Sequence, residues 1–128
     1  MVTVYYAHCI TTYDSLIESI DLRDLRNIGF DVINPNTQDV QESFSEYRKN
    51  NQESPMDFFK SLIDKCNCFA FRSLPDGNIP SGISFEINYA KSIGLPIIEM
   101  PSSVEKRMMD YKSTKSYLTE IGHYKNNI

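Results

Sequence analysis

The sequence predicts a small doubly wound α/β fold of flavodoxin or Rossmann-like type, a parallel sheet of four to five strands with helices on both faces. Segments of strand and helix character alternate along the chain, the order that a parallel sheet with right-handed helical crossovers requires. The strand segments are continuously apolar rather than alternating, as strands covered on both faces are. The length of 128 residues fits one domain, with a core over 2–100 and a helical tail over 101–128.

Val2-Thr3-Val4-Tyr5-Tyr6-Ala7 is β-branched and aromatic and reads as a buried first strand, running into a polar loop over His8–Thr12. From Tyr13 to Ile28 the apolar residues Leu16, Ile17, Ile20 and Leu25 recur at helical intervals, and Gly29 supplies the left-handed residue that ends such a helix. Phe30–Asn34 is a second strand, stopped by Pro35. Residues 36–53, rich in Asn, Gln, Glu and Ser, form either a mobile excursion or a poorly packed helix. Ser54 then offers a cap, Pro55 a first-turn proline and Asp57 an acid three residues after the cap. A helix through Lys65 follows, with Phe58, Phe59, Leu62 and Ile63 turned inward. Cys66–Arg72, nearly all apolar, is the third strand and a central one. Leu74–Gly82 is the richest turn sequence in the chain. A helix from Ile83 to Ile93 closes at Gly94, and Pro96–Met100 is the fourth strand, ended by Pro101. The tail carries one or two helices, the clearer capped by Ser113 and running through Tyr117 and Leu118 towards Gly122.

Thirteen Lys and Arg against 17 Asp and Glu give a net charge of −4, which argues against a partner such as a nucleic-acid polymer and against a polybasic membrane surface. No apolar run reaches the roughly 18 residues of a membrane span, and no basic-then-apolar leader opens the chain, so a cytoplasmic location is expected. The three cysteines are an odd number, and Cys66-x-Cys68 lacks the two-residue spacer of redox or zinc pairs, so all are read as reduced thiols. His8 and His123 have no Cys or carboxylate at ligand spacing; neither a metal nor another cofactor is expected. Glycine motifs of dinucleotide or P-loop sites are absent, and no Ser-His-Asp or Cys-His arrangement can be assembled from spacing.

In open parallel sheets the ligand crevice lies beyond the carboxyl ends of the strands. That rule gathers Tyr5, Tyr6, His8 and Cys9 after the first strand, and Asn34 and Asn36 after the second. It adds Arg72, Asp76, Gly77, Ser81 and Gly82 after the third, with Ser84 and Glu86 where the next helix begins. Glu86 is read as a first-turn acid: either it stabilises its helix by about 0.3–1 kcal/mol through the macrodipole, or it works in the crevice. Arg72 at the end of an apolar strand needs a partner, either Asp76 or an anionic ligand group. His8 is an acid, base or ligand donor, or a solvated loop residue. Tyr5 and Tyr6 point to opposite faces, so one belongs to the core and the other is free to offer its hydroxyl to the crevice.

These segments resemble the nucleoside 2-deoxyribosyltransferase-like superfamily, which includes the transferases and the 2′-deoxynucleoside 5′-monophosphate N-glycosidases. The matching stretches are Val4–Ala7, Gly29–Pro35, Pro75-Asp76 through Gly82–Ala90, and Gly94–Ile98, so the resemblance covers roughly residues 2–100. The run Gly82-Ile83-Ser84-Phe85-Glu86-Ile87-Asn88-Tyr89-Ala90 is similar to the family's Gly-x-x-x-Glu-x-Gly-Tyr-Ala. The resemblance implies that Glu86 attacks the sugar C1′ and releases the base, with Tyr5 orienting it. It further implies Arg72 and the loop over Gly77, Ser81, Gly82 and Ser84 as a phosphate or sugar cradle, and a homo-oligomer that completes its pocket. Ser84 and Asn88 stand where the family has glycines, and Phe59 where it has an aspartate. Protonation of the leaving base then falls to Asp76 or His8, or the activity is altered or lost. A looser similarity joins the loop and Ser84-Phe85-Glu86-Ile87 to TIR domains, some of which cleave the nicotinamide–ribose bond of NAD. Three functions are expected in this order: an N-glycosyl hydrolase or transferase acting on a nucleoside, nucleotide or NAD-like small molecule; a module that binds a signalling nucleotide without chemistry; and an interaction domain.

Overall fold

A computed structural model describes residues 2–50 and 54–123. Strands β1 (Thr3–Ala7), β2 (Asp31–Ile33), β3 (Cys68–Phe71) and β5 (Ile97–Glu99) form one sheet in the order β2-β1-β3-β5, every neighbour parallel. Helices α1 (Leu16–Ile28), α2 (Gln38–Asn50), α3 (Pro55–Ile63), α4 (Ser81–Ser92) and α5 (Tyr111–Glu120) make the crossovers and the tail. A second, two-stranded parallel sheet joins β4 (Asn78–Ile79) to β6 (Arg107–Met108). The doubly wound α/β architecture is thus the one the sequence predicts.

Each strand's two-residue period divides the core. Tyr5, Ala7, Phe69 and Phe71 face Ile63, Ile83, Ile87 and Ala90 of α3 and α4. Val4, Tyr6, Cys68 and Ala70 face the other way, against Leu25 of α1 and Met100. The central pair β1 and β3 is buried along nearly its whole length, whereas the edge strands are half covered.

Of the two forms expected for the polar stretch, residues 38–50 take the poorly packed helix: none of its residues is buried, and it is held by aromatic contacts, Phe44 lying 5.2 Å from the Phe58 ring and 4.9 Å from Phe59. Residues 51–53 of that stretch lie outside the described residues. Other local expectations are corrected. The buried stripe of α1 is Glu18, Asp21 and Leu25, while Leu16 is exposed. The periodicity is right but its phase is shifted, because two carboxylates find partners inside the fold. Helix α4 starts at Ser81, two residues early, with Pro80 as its cap, so Glu86 sits in the second turn rather than the first. Asp110, not Ser113, caps α5, accepting from the Ser113 N–H at 2.7 Å.

Gly77 is fixed by two demands. Its φ is +89°, and a Cβ there would lie 1.8 Å from the carbonyl oxygen of Glu105. The close approach lets Arg107 N–H reach the Gly77 carbonyl at 2.8 Å and seats β6 on β4.

Candidate active site

Beyond the carboxyl end of β1 lies a largely apolar cavity of about 210 Å³. Strand β1 and the loop after it contribute Tyr5, Ala7, His8, Cys9, Ile10 and Tyr13. Pro35 closes one side, Met56 and Phe59 of α3 another, and Pro80, Gly82, Ile83 and Glu86 bring in the start of α4. Thr114 and Leu118 of α5 complete the wall. The tail therefore reaches the site from the same chain: Ser81 N–H donates to Thr114 Oγ1 at 2.9 Å, tying α5 to the first residue of α4.

Glu86 is 7% exposed, and Tyr5, at 1%, donates its hydroxyl to Glu86 Oε2 at 2.6 Å. Burial pushes the Glu86 carboxyl up to about 7, with the Tyr5 hydrogen bond pulling the other way. The Tyr5 phenol is held well above its ordinary value by burial first and then by the Glu86 charge. The second-turn placement changes the electrostatics expected of Glu86. At the sixth position of the helix it lies past the free amides of the first turn, and a strand hydroxyl is its partner. A carboxylate on an apolar wall, held by one hydroxyl and half ionised near neutrality, suits attack on an electrophilic carbon.

His8 also lines the cavity, but both ring nitrogens face acceptors. Nε2 lies 2.6 Å from Glu18 Oε2, and Nδ1 lies 3.3 Å from the Tyr6 carbonyl. Burial lowers the imidazole below its ordinary value, and the Glu18 hydrogen bond opposes that shift. Its ring is stacked on Tyr6, centroids 4.1 Å apart, and tilted against Tyr13 at 4.8 Å. Glu18 is held in turn by the Asp14 N–H at 3.1 Å and by Asn36 Nδ2. His8 is thus a fixed wall rather than a solvated loop residue.

Tyr5, His8, Gly82 and Glu86 meet in the cavity; Arg72, Asp76, Gly77, Ser81 and Ser84 do not line it. Arg72 does not pair with Asp76. It forms a fork with Asp21, Nε to Oδ2 at 2.9 Å and Nη2 to Oδ1 at 2.7 Å, on the opposite face of the sheet. Its Nη1 donates to the Pro101 carbonyl at 2.8 Å, and Tyr6 donates to Asp21 Oδ2 at 2.6 Å. Asp76 stabilises its own turn, accepting from Asn78 N–H at 3.0 Å and Asn78 Nδ2 at 2.9 Å. Ser84 donates to the Ile79 carbonyl at 3.2 Å, inside the helix start.

Sequence reasoning missed Tyr13, Met56, Phe59, Thr114 and Leu118 as lining residues, and Glu18 and Asp21 as supports. The spacing of Glu18, Asp21, Leu22 and Leu25 on one helical stripe is the signal that carried the supports. Nothing local marks Thr114. Among the described residues no group of three or more His, Cys, Asp or Glu is placed to hold a metal, and no helix is long and apolar enough to cross a membrane. Cys9, Cys66 and Cys68 are free and buried. The chain matches no family model, and no curated protein and no solved structure shows significant similarity to it.

Proposed function

We propose that this protein cleaves or transfers an N-glycosidic bond, with Glu86 as the nucleophile on C1′ of a ribose or deoxyribose. The observation that carries the reading is the buried Tyr5–Glu86 pair, hydroxyl to carboxylate at 2.6 Å, on the wall of a cavity beyond the sheet's carboxyl edge. A Glu86 oxygen attacks C1′, the base departs, and the glycosyl ester is resolved by water or by a second base, the two-step logic of retaining glycosidases. Tyr5 holds one carboxylate oxygen so that the other can reach the sugar. The apolar surfaces of Met56, Phe59 and Leu118 suit the flat faces of a nucleobase.

A second reading, a module that binds such a ligand without reacting, is favoured by one feature: among the described residues that line the cavity Glu86 is the single Asp or Glu, and Phe59 occupies the wall where the resemblance implies an acid. A panel of deoxynucleosides, their 5′-monophosphates and NAD, followed for free base by chromatography, separates the two. Base released by the native protein and lost in Glu86→Gln supports the enzyme. A melting-temperature rise with some ligand but no release from any would establish the binding module instead.

A further inference from the structure

Breaking the bond between C1′ and a neutral base leaves an electron pair on the base nitrogen, and a proton donor speeds that step by about 10²–10⁴-fold. The residues expected to supply it are placed elsewhere: Asp76 lies outside the cavity, and His8 has both nitrogens turned to protein acceptors. Among the other hydroxyls of the wall, Tyr5 gives its proton to Glu86 and Thr114 gives its own to the Asp110 carbonyl at 2.8 Å. Tyr13 differs. It lines the cavity with its ring braced against His8 at 4.8 Å, and among the described residues no acceptor engages its hydroxyl.

We propose that Tyr13 is the acid of the reaction, its phenolic hydroxyl donating to the ring nitrogen of the departing base across the cavity it shares with Glu86. The proposal rests on the N-glycosidic reading above and adds a catalytic residue to it. As a Glu86 oxygen bonds to C1′, the C1′–N bond breaks, its electron pair stays on the base, and the base takes the Tyr13 proton. The resulting tyrosinate then accepts a proton from the water that attacks C1′. The ester bond breaks, its pair returns to the Glu86 carboxylate, and nucleoside plus water have become free sugar plus base. The charges support this order of events. After burial, the Glu86 charge is the largest cause holding the Tyr13 phenol above its ordinary value. That cause vanishes when the carboxylate becomes a neutral ester, so the phenol becomes more acidic as the base needs its proton.

The test uses leaving groups that differ in their need for a proton. The native protein and Tyr13→Phe, which keeps the ring against His8, are assayed on 2′-deoxyadenosine and its 5′-monophosphate. Both are also assayed on N7-methyl-2′-deoxyguanosine and its 5′-monophosphate, whose cationic base departs without protonation. The expected result is a loss of about 10²–10⁴-fold in kcat on the adenine substrates, with turnover of the methylated ones retained. Equal losses on both classes assign Tyr13 a structural role and overturn the proposal, as does an unchanged rate on both. A native protein inert on every substrate overturns the N-glycosidic reading itself, an outcome distinct from an active protein indifferent to Tyr13→Phe.

Discussion

Glu86 is expensive for the fold, and the sign of that expense is testable. Its carboxyl titrates near 7 in the folded protein against an ordinary 4.5, so the folded state holds the proton more tightly than the unfolded chain does. Below about pH 4.5 the group is protonated in both states and costs nothing. As pH rises towards 7 the unfolded chain ionises first, and stability falls. Above 7 the full difference remains, on the order of 3 kcal/mol. Glu86→Gln keeps an acceptor for the Tyr5 hydroxyl and removes the charge, so it should raise the melting temperature at pH 8 and leave it nearly unchanged at pH 4. An equal effect at both values would mean that Glu86 is not desolvated as described. On the proposed N-glycosidic function the same titration governs the rate: a carboxylate nucleophile requires the ionised form, so kcat/KM should climb through a midpoint of about 7. A rate already flat from pH 5 upwards would contradict it.

At the scale of elements, the two acids of α1 act in tertiary roles that helix periodicity alone does not reveal. Asp21 is 1% exposed and carries both the Arg72 fork and the Tyr6 hydroxyl, joining α1, β1, the end of β3 and the Pro101 carbonyl. Removing one partner of a buried pair strands the other charge, so Asp21→Ala should cost about 3–5 kcal/mol in a urea unfolding experiment. Asp76→Ala, which removes only an exposed turn acceptor, should cost about 1 kcal/mol or less. Comparable costs at the two positions would put the Arg72 pairing in the wrong place. The junction between the small sheet and the tail is tested at Gly77, where a Cβ collides with the Glu105 carbonyl and φ is positive. Gly77→Ala should destabilise by about 1–3 kcal/mol, whereas Gly94→Ala meets open space and carries only the cost of its own positive φ. A smaller loss at Gly77 than at Gly94 would contradict the close approach.

Across the whole molecule, what was legible in the sequence is what local pattern determines. Continuous apolar strands gave the parallel sheet, the glycines after α1 and α4 gave their ends, and the two-residue strand period put Tyr5 and Tyr6 on opposite faces. Tyr5 and Glu86, 81 residues apart, were both named by the rule that places ligands beyond the strand ends, and they meet at 2.6 Å. Illegible were the pairings that depend on which face a polar residue finally takes. Arg72 found its partner 51 residues earlier on the other side of the sheet, and Thr114 reached the start of α4 from a tail that carries no motif. Such contacts are set by topology, and a single chain does not display them before it is folded.

The most direct measurement of the central claim is to trap the glycosyl-enzyme. A nucleoside carrying a 2-deoxy-2-fluoro-arabinosyl sugar destabilises the positive charge that builds at C1′ and slows resolution of the ester by water. The native protein, incubated with it and examined by intact mass and peptide mapping, should gain the mass of one fluorinated sugar on the peptide containing Glu86, and Glu86→Gln should gain none. Base released with no adduct on Glu86, or an adduct on another residue, would contradict the assignment of Glu86 as the nucleophile.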